Sequence, residues 1–447
     1  MKLHGTMNIN QQGHLVIGGC DTLDLVEEYG TPLYVMDEAA IRTACRDYYY
    51  SFTKTYPNTE VIYASKTFST LAMCQIIHEE GLGLDVVSGG ELYTALAANF
   101  PSERIYFHGN NKTPDELEMA ISARVGRVVV DNYHELSLLN ALAAQAGRVV
   151  EVLVRVTPGV EAHTHEYIQT GQIDSKFGFT VSTGDALDAI NKVIDASHLE
   201  FRGIHCHIGS QIFELESYRF TAKVMMELCS VISKETGCQV RELNLGGGFG
   251  IYYTEGDAPA SVQDYADLVM TTVKELAEIY SIPMPKVIVE PGRSIAGPAG
   301  TTLYTIGSTK NIPGVRKYVS VNGGMADNPR PALYQSRYEA ILANRALEEA
   351  AETVSITGKC CESGDMLIWD IELPVVQSGD LLAVACTGAY NYSMSSNYNR
   401  LTRPAVVLVK DGQADLIVQR ETYQDLVRND LIPERLANPS GLTLASR

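Results

Sequence analysis

Between Tyr34 and Ala299 the chain alternates eight short apolar runs with amphipathic segments. The runs are "EVIYAS", "GLGLDVVS", "RIYFHG", "RVVVDN", "EVLVRVTPG", "FRGIHCHIGS", "ELNLGGGFGI" and "KVIVEPGR". Segments such as "TLAMCQIIHEE" and "TPDELEMAISA" separate them. Each run ends in polar residues or glycine. Eight strands so spaced predict an α/β fold built on a (β/α)8 TIM barrel. An open doubly wound sheet needs a switch point and a G-x-G-x-x-G opening an early helix, and neither is found.

After "AGPAGTTLYTIGSTK" the texture changes. "KYVSVNGG", "TVSITGK", "DLLAVACTGAY" and "PAVVLVKDG" read as strands with few long helices between them. They predict a mainly antiparallel β domain. The expected division is a barrel over 35–305, with 1–34 and 306–447 forming the β domain. "GHLVIGG" and "TPLYVMD" are expected to pair with that second domain.

Composition narrows the function. A net charge of −19 repels phosphate backbones, so nucleic acid is not an expected partner. No apolar run approaches the ~20 residues that span a bilayer, so no membrane role is expected. The first residues lack a signal-peptide core, and the nine cysteines show no framework spacing. Reduced thiols in the cytoplasm are the expectation.

Chemistry in a barrel sits where strands end. "VIYASKTFST" ends a buried strand on Lys66. A lysine there is either a solvated strand end or an amine held for covalent work. Gly246, Gly247 and Gly248 end another strand, as a turn or as a phosphate nest. Glu290 and Arg293 follow "VIV" at a third, as a structural ion pair or as a carboxylate kept for a cationic partner. His205 and His207 share one strand face, with Cys206 opposite. Zinc is not expected there, for want of further ligands. His205 reads as a core histidine. His207, with Ser210 after it, suits a flat ring with an anionic tail. Cys361, Glu362 and Asp365 crowd one loop, as a buried structural thiol or as one whose carboxylate neighbours suit it to donate protons. Lysine, nest, carboxylate and stacking imidazole together suit pyridoxal phosphate, with Glu290 facing its ring nitrogen.

These motifs lie in the order of a known family. "YASK", "GLDVVSGGEL", "HGNNK", "RVTPGVEAHTHEYIQTGQIDSKFGF", "HCHIGSQI", "NLGGGFGI", "EPGR", "DNPRPALY", "CCESGD" and "GAYNYSMSSNYNR" run nearly end to end. The chain resembles the diaminopimelate decarboxylases, pyridoxal phosphate enzymes of alanine-racemase-like fold. That resemblance implies decarboxylation of meso-diaminopimelate at its D-centre to L-lysine and carbon dioxide, the last step of lysine biosynthesis. It implies a head-to-tail homodimer in which "CESGD" of one subunit completes the other's site. It implies Lys66 as the Schiff-base lysine and His207 as the stacking residue. Asp85, Ser210, Gly247, Gly248, Gly292, Arg293 and Tyr390 become cofactor contacts, and Glu290 the nitrogen's partner. Arg293, Arg330, Tyr334 and Tyr390 become substrate ligands, Cys361 the proton donor and Glu362 the reader of the distal amine. Two departures stand out: Thr67-Phe68 replaces the frequent Ala-Asn, and Pro329 constrains the backbone that aims Arg330. Decarboxylases of ornithine, arginine or carboxynorspermidine are rivals. So are a non-catalytic coenzyme-binding regulator and a sugar-phosphate barrel enzyme.

Overall fold

All eight apolar runs form strands in the computed structural model, which describes residues 1–159 and 175–437. Residues 160–174, inside the long motif that begins "RVTPG", lie outside the described residues. The strands are β1 Thr59–Ala64, β2 Gly83–Val86, β3 Ile105–Phe107, β4 Arg127–Val130, β5 Val150–Thr157, β6 Leu199–His205, β7 Glu242–Asn244 and β8 Lys286–Val289. Each pairs in parallel with the next, and β8 pairs with β1. The sheet therefore closes into an eight-stranded barrel.

Side-chain parity decides what enters the barrel. Ile62, Tyr106, Val129, Leu153 and Ile288 form a separate buried apolar cluster, a plug inside it. Their chain neighbours Val61, Tyr63, Ile105, Phe107, Val128, Val152 and Val287 belong to the large core beneath the helices. Successive strand residues face opposite sides, so two steps on from the plug the side chains again point inward. Those positions are Ala64, His108, Asp131, Arg155 and Glu290. Register adds Asp85 opposite Ala64, and His205 opposite both Arg155 and Asn244. One further step inward brings Lys66 and His207. The site thus rests on an apolar floor, in which each buried Ile or Val contributes about 1.5–3 kcal/mol.

Polar residues at strand ends have two fates. Some start helices: Ser88 accepts from the Glu91 N–H, Asn132 from Glu135, and Thr113 closes a capping box with Glu116. Others face the barrel mouth.

The second domain is a separate sheet. Its path runs Met366–Leu373, Glu352–Thr357, Arg316–Val321, Gly300–Ile312, Leu33–Asp37, Ala405–Lys410, Gln413–Val418. Most pairs are antiparallel. Arg316–Val321 with Glu352–Thr357, and Leu33–Asp37 with Ala405–Lys410, are parallel. "TPLYVMD" lies in this sheet. "GHLVIGG" instead joins a small three-stranded sheet, yet Leu15 and Ile17 share a core with Leu33, Leu303 and Val407.

The loop after β3 is pinned by a buried cation. Lys112 Nζ lies 2.7 Å from Glu135 Oε1 and donates to the Gly109 and Val129 carbonyls. Both side chains are nearly inaccessible. Lys112→Met should cost about 3–5 kcal/mol in denaturant unfolding, because it strands Glu135 as an uncompensated buried charge. Adding Glu135→Leu should recover most of that loss. A single variant as stable as the parent would show the pair to be dispensable.

Candidate active site

The barrel mouth holds a cavity of about 460 Å3. It is lined by Lys66, Asp85, His207, Ser210, Gly248, Glu290, Gly292, Arg293 and Tyr390, among others. A neighbouring hollow shares Lys66, Ser210, Arg293 and Tyr390 with it, and adds Arg330 and Tyr334. Lys66 sits on a 3-10 turn between fully buried Ser65 and Thr67, and is itself exposed to this space. Among the described residues its amine has no hydrogen-bond or ion-pair partner, unlike that of Lys112.

Glu290 lines the same cavity. Asn244 Nδ2 donates to its Oε1 at 2.7 Å, and His205 Nε2 meets its Oε2 at 3.3 Å. His108 Nε2 stands 3.0 Å from Oε1 and 3.9 Å from Asp85 Oδ1. Burial alone would raise the Glu290 carboxyl, but His108 and then His205 hold it well below the usual carboxylate range. Burial raises Asp85, against the pull of His108. Burial lowers the His205 imidazole to about 4, so this ring is neutral and gives its Nε2–H to Glu290.

In the glycine turn the Gly246 N–H donates to Asn244 Oδ1 at 2.9 Å, so Gly248 is the member left facing the cavity. Gly248 has φ +102°, in the region glycine favours, and lines the cavity. A Cβ on Gly247 would overlap the Glu290 carbonyl. The Gly247 N–H donates to His207 Nδ1 at 3.3 Å, so this residue steadies the ring beside Lys66. Burial, then the Lys66 charge, keep His207 well below its ordinary pKa. A neutral imidazole is suited to stacking on a flat cationic heterocycle.

The arginines are held in place. Arg293 donates to Ser210 Oγ at 2.8 Å and to the Tyr253 hydroxyl at 2.7 Å. Its guanidinium lies 4.9 Å from the centre of the Tyr390 ring, and that of Arg330 lies 5.2 Å from the same ring. Tyr390 has φ +68°, a costly conformation for a residue with a Cβ, and its N–H bonds the Thr67 carbonyl. One tyrosine thus ties both arginines to the turn that carries Lys66. Arg330 also faces the exposed Tyr334 ring at 5.4 Å.

Cys361 and Glu362 are elsewhere. Both are exposed, and neither lines either hollow. Asp365 does not crowd them as expected. It is buried beneath the loop, accepting from the Cys360 and Met325 N–H groups at 2.8 and 2.6 Å. Burial, and then Asp365, push the neighbouring Cys360 thiol up to about 11. The loop is built to present residues 361–362 outward.

Sequence reading passed over His108, Arg155 and Asn244, and took His205 for core. Parity was the available signal: each lies an even number of steps from an inward plug residue or across from one that does.

Comparison with known proteins agrees with this geometry. Residues 40–297 match the pyridoxal binding domain of the pyridoxal-dependent decarboxylases. The diaminopimelate decarboxylase of Bacillus subtilis (strain 168) is 56% identical, the match covering 96% of this chain and 98% of that one. The enzyme of that name from Staphylococcus aureus (strain COL) is 46% identical over 95% of this chain and 99% of its own. The structure of diaminopimelate decarboxylase from M. jannaschii in co-complex with L-lysine superposes with a TM-score of 0.92 at 38% identity, covering 97% of this chain and all of that one. With a lysine and a buried, imidazole-flanked carboxylate lining one barrel cavity, the chain belongs to the diaminopimelate decarboxylase family of pyridoxal-dependent decarboxylases.

Proposed function

We propose that this chain decarboxylates meso-diaminopimelate at its D-centre, giving L-lysine and carbon dioxide, in the cytoplasm. The carrying observation is the Arg293–Tyr390–Arg330 stack opening from Lys66. It offers paired cations to a carboxylate distant from the reacting carbon. The barrel carries the coenzyme, and the β domain completes the site; its sheet takes in all of Leu33–Asp37 and Gly300–Ile312, so the expected boundaries at 34/35 and 305/306 each cut a strand of the second domain. No described helix is long and apolar enough to cross a membrane.

The residues present fit pyridoxal phosphate. Lys66 would hold its aldehyde carbon, Gly248 and Ser210 its phosphate, Gly292 and Asp85 its flank, and Glu290 its ring nitrogen. Bound there, the coenzyme supplies an electron sink for the pair left when the Cα–carboxylate bond breaks. His207 covers one face and keeps water off it. Glu290, kept ionised by its imidazole neighbours, favours a protonated ring nitrogen. Arg330, Arg293 and Tyr334 grip the distal carboxylate and so orient the D-centre over Lys66. The partner subunit's Cys361 returns a proton to Cα, and the partner subunit's Glu362 reads the distal amine. This requires a head-to-tail homodimer.

A panel assay of carbon dioxide release tests the substrate. The meso isomer should react, and L-lysine and L-ornithine should be rejected by about 10^4-fold, because they leave buried cations unpaired. The LL isomer, which has no D-centre, should release nothing. Equal release from ornithine would overturn the assignment.

A further inference from the structure

Glu290 receives its hydrogen bonds from Asn244 and His205, one to each oxygen. His108 adds something else. Its Nε2 is 3.0 Å from Glu290 Oε1, yet neither that nitrogen nor Asp85 Oδ1 makes an aligned hydrogen bond. All three side chains are buried. A short contact without alignment stabilises through charge, and in a low-dielectric site charge acts strongly.

We propose that His108, gripped between Asp85 and Glu290, is a positioning residue that fixes Glu290 as an ionised, oriented carboxylate before any coenzyme arrives. The inference rests on the coenzyme reading above and deepens it. Asp85, Glu290 and His205 lie against the His108 ring, and Arg155, Asp131 and Glu91 act on it from further off, Glu91 as one more anion that favours its proton. Arg155 opposes the imidazolium, but Asp131 lies 3.7 Å from Arg155 and offsets it. His205 is neutral. Burial opposes a proton on His108, but Asp85 and Glu290 remain as the near anions and outweigh it, so the imidazole is raised above its ordinary value. The imidazolium stands between the two carboxylates, nearer Glu290 at 3.0 Å than Asp85 at 3.9 Å, and holds Glu290 ionised to meet a cationic ring nitrogen.

Proton counting tests this. In the double variant Asp85→Asn, His108→Gln the charge pair is gone while the side-chain shapes remain. Glu290 then has burial acting on it without the compensating cation, and takes a proton from solvent. Pyridoxal phosphate must expel that proton on binding. Calorimetry in buffers of different ionisation enthalpy should therefore show the double variant releasing about one proton more than the parent chain. A merely structural role would weaken binding and leave the proton count equal, which would overturn the proposal. Should the variant not fold, an infrared difference spectrum between the coenzyme-free parent and its Glu290→Gln variant decides. An ionised carboxylate band at pH 5–6 supports the proposal, and a protonated carboxyl band there sinks it. Failure of the parent to bind coenzyme at all would instead sink the coenzyme reading, while the infrared result stands by itself.

Discussion

Lys66→Ala removes the coenzyme's absorption near the visible edge and lowers turnover by roughly 10^4-fold or more, the scale seen when a covalent group is deleted. From Val61 to Phe68 every side chain is buried except that of Lys66. Its amine has no partner among the described residues. Lys112 does not line the cavity and is held by a carboxylate and two carbonyls, so releasing it would break a buried ion pair. It cannot take over cheaply. Removing an exposed side chain changes stability by about 0.5 kcal/mol or less, so thermal unfolding should be nearly unchanged. A Lys66→Ala protein that keeps a band bleached by borohydride would refute the assignment.

The barrel was legible because its strands are short, apolar and rich in Val and Ile, and each is set off by polar or glycine punctuation. Closure followed from the count of eight. The parallel pairing of Leu33–Asp37 with Ala405–Lys410 was not legible, since its two halves lie hundreds of residues apart and no local pattern couples them. The glycines, Lys66 and Glu290 announced themselves by interrupting apolar runs. His108 did not, because "FHGNNK" reads equally well as an ordinary loop entry. Ser88, Thr113 and Asn132 occupy similar strand-end places and serve only as caps. What separates the two groups is distance in steps from the plug residues Ile62, Tyr106, Val129, Leu153 and Ile288, and that depends on register. Register is fixed by tertiary packing. The exposure of Cys361 was equally hidden. It follows from Asp365, which takes the buried place beneath the loop and leaves the thiol outside.

That exposure leads to the second large effect. A proton donor must come within hydrogen-bond reach of the atom it serves. Cys361 lines neither hollow in its own chain, so a catalytic role for it requires a second copy. Cys361→Ala should keep coenzyme bound, because Lys66, Glu290 and the glycine turn are untouched, while turnover falls by roughly 10^2–10^4-fold, the range for a lost general acid. Lys66→Ala is inactive for a different reason. When the two inactive proteins exchange subunits at random, half the dimers are mixed. In a symmetric head-to-tail pair each mixed dimer holds one site with both defects and one with neither. Half the dimers with half their sites intact give about a quarter of parental activity. If each chain instead supplied its whole site, every site in the mixture would carry a defect, and activity would stay at the level of the separate variants. Mixed dimers verified by mass spectrometry yet showing no recovery would place the proton donor elsewhere.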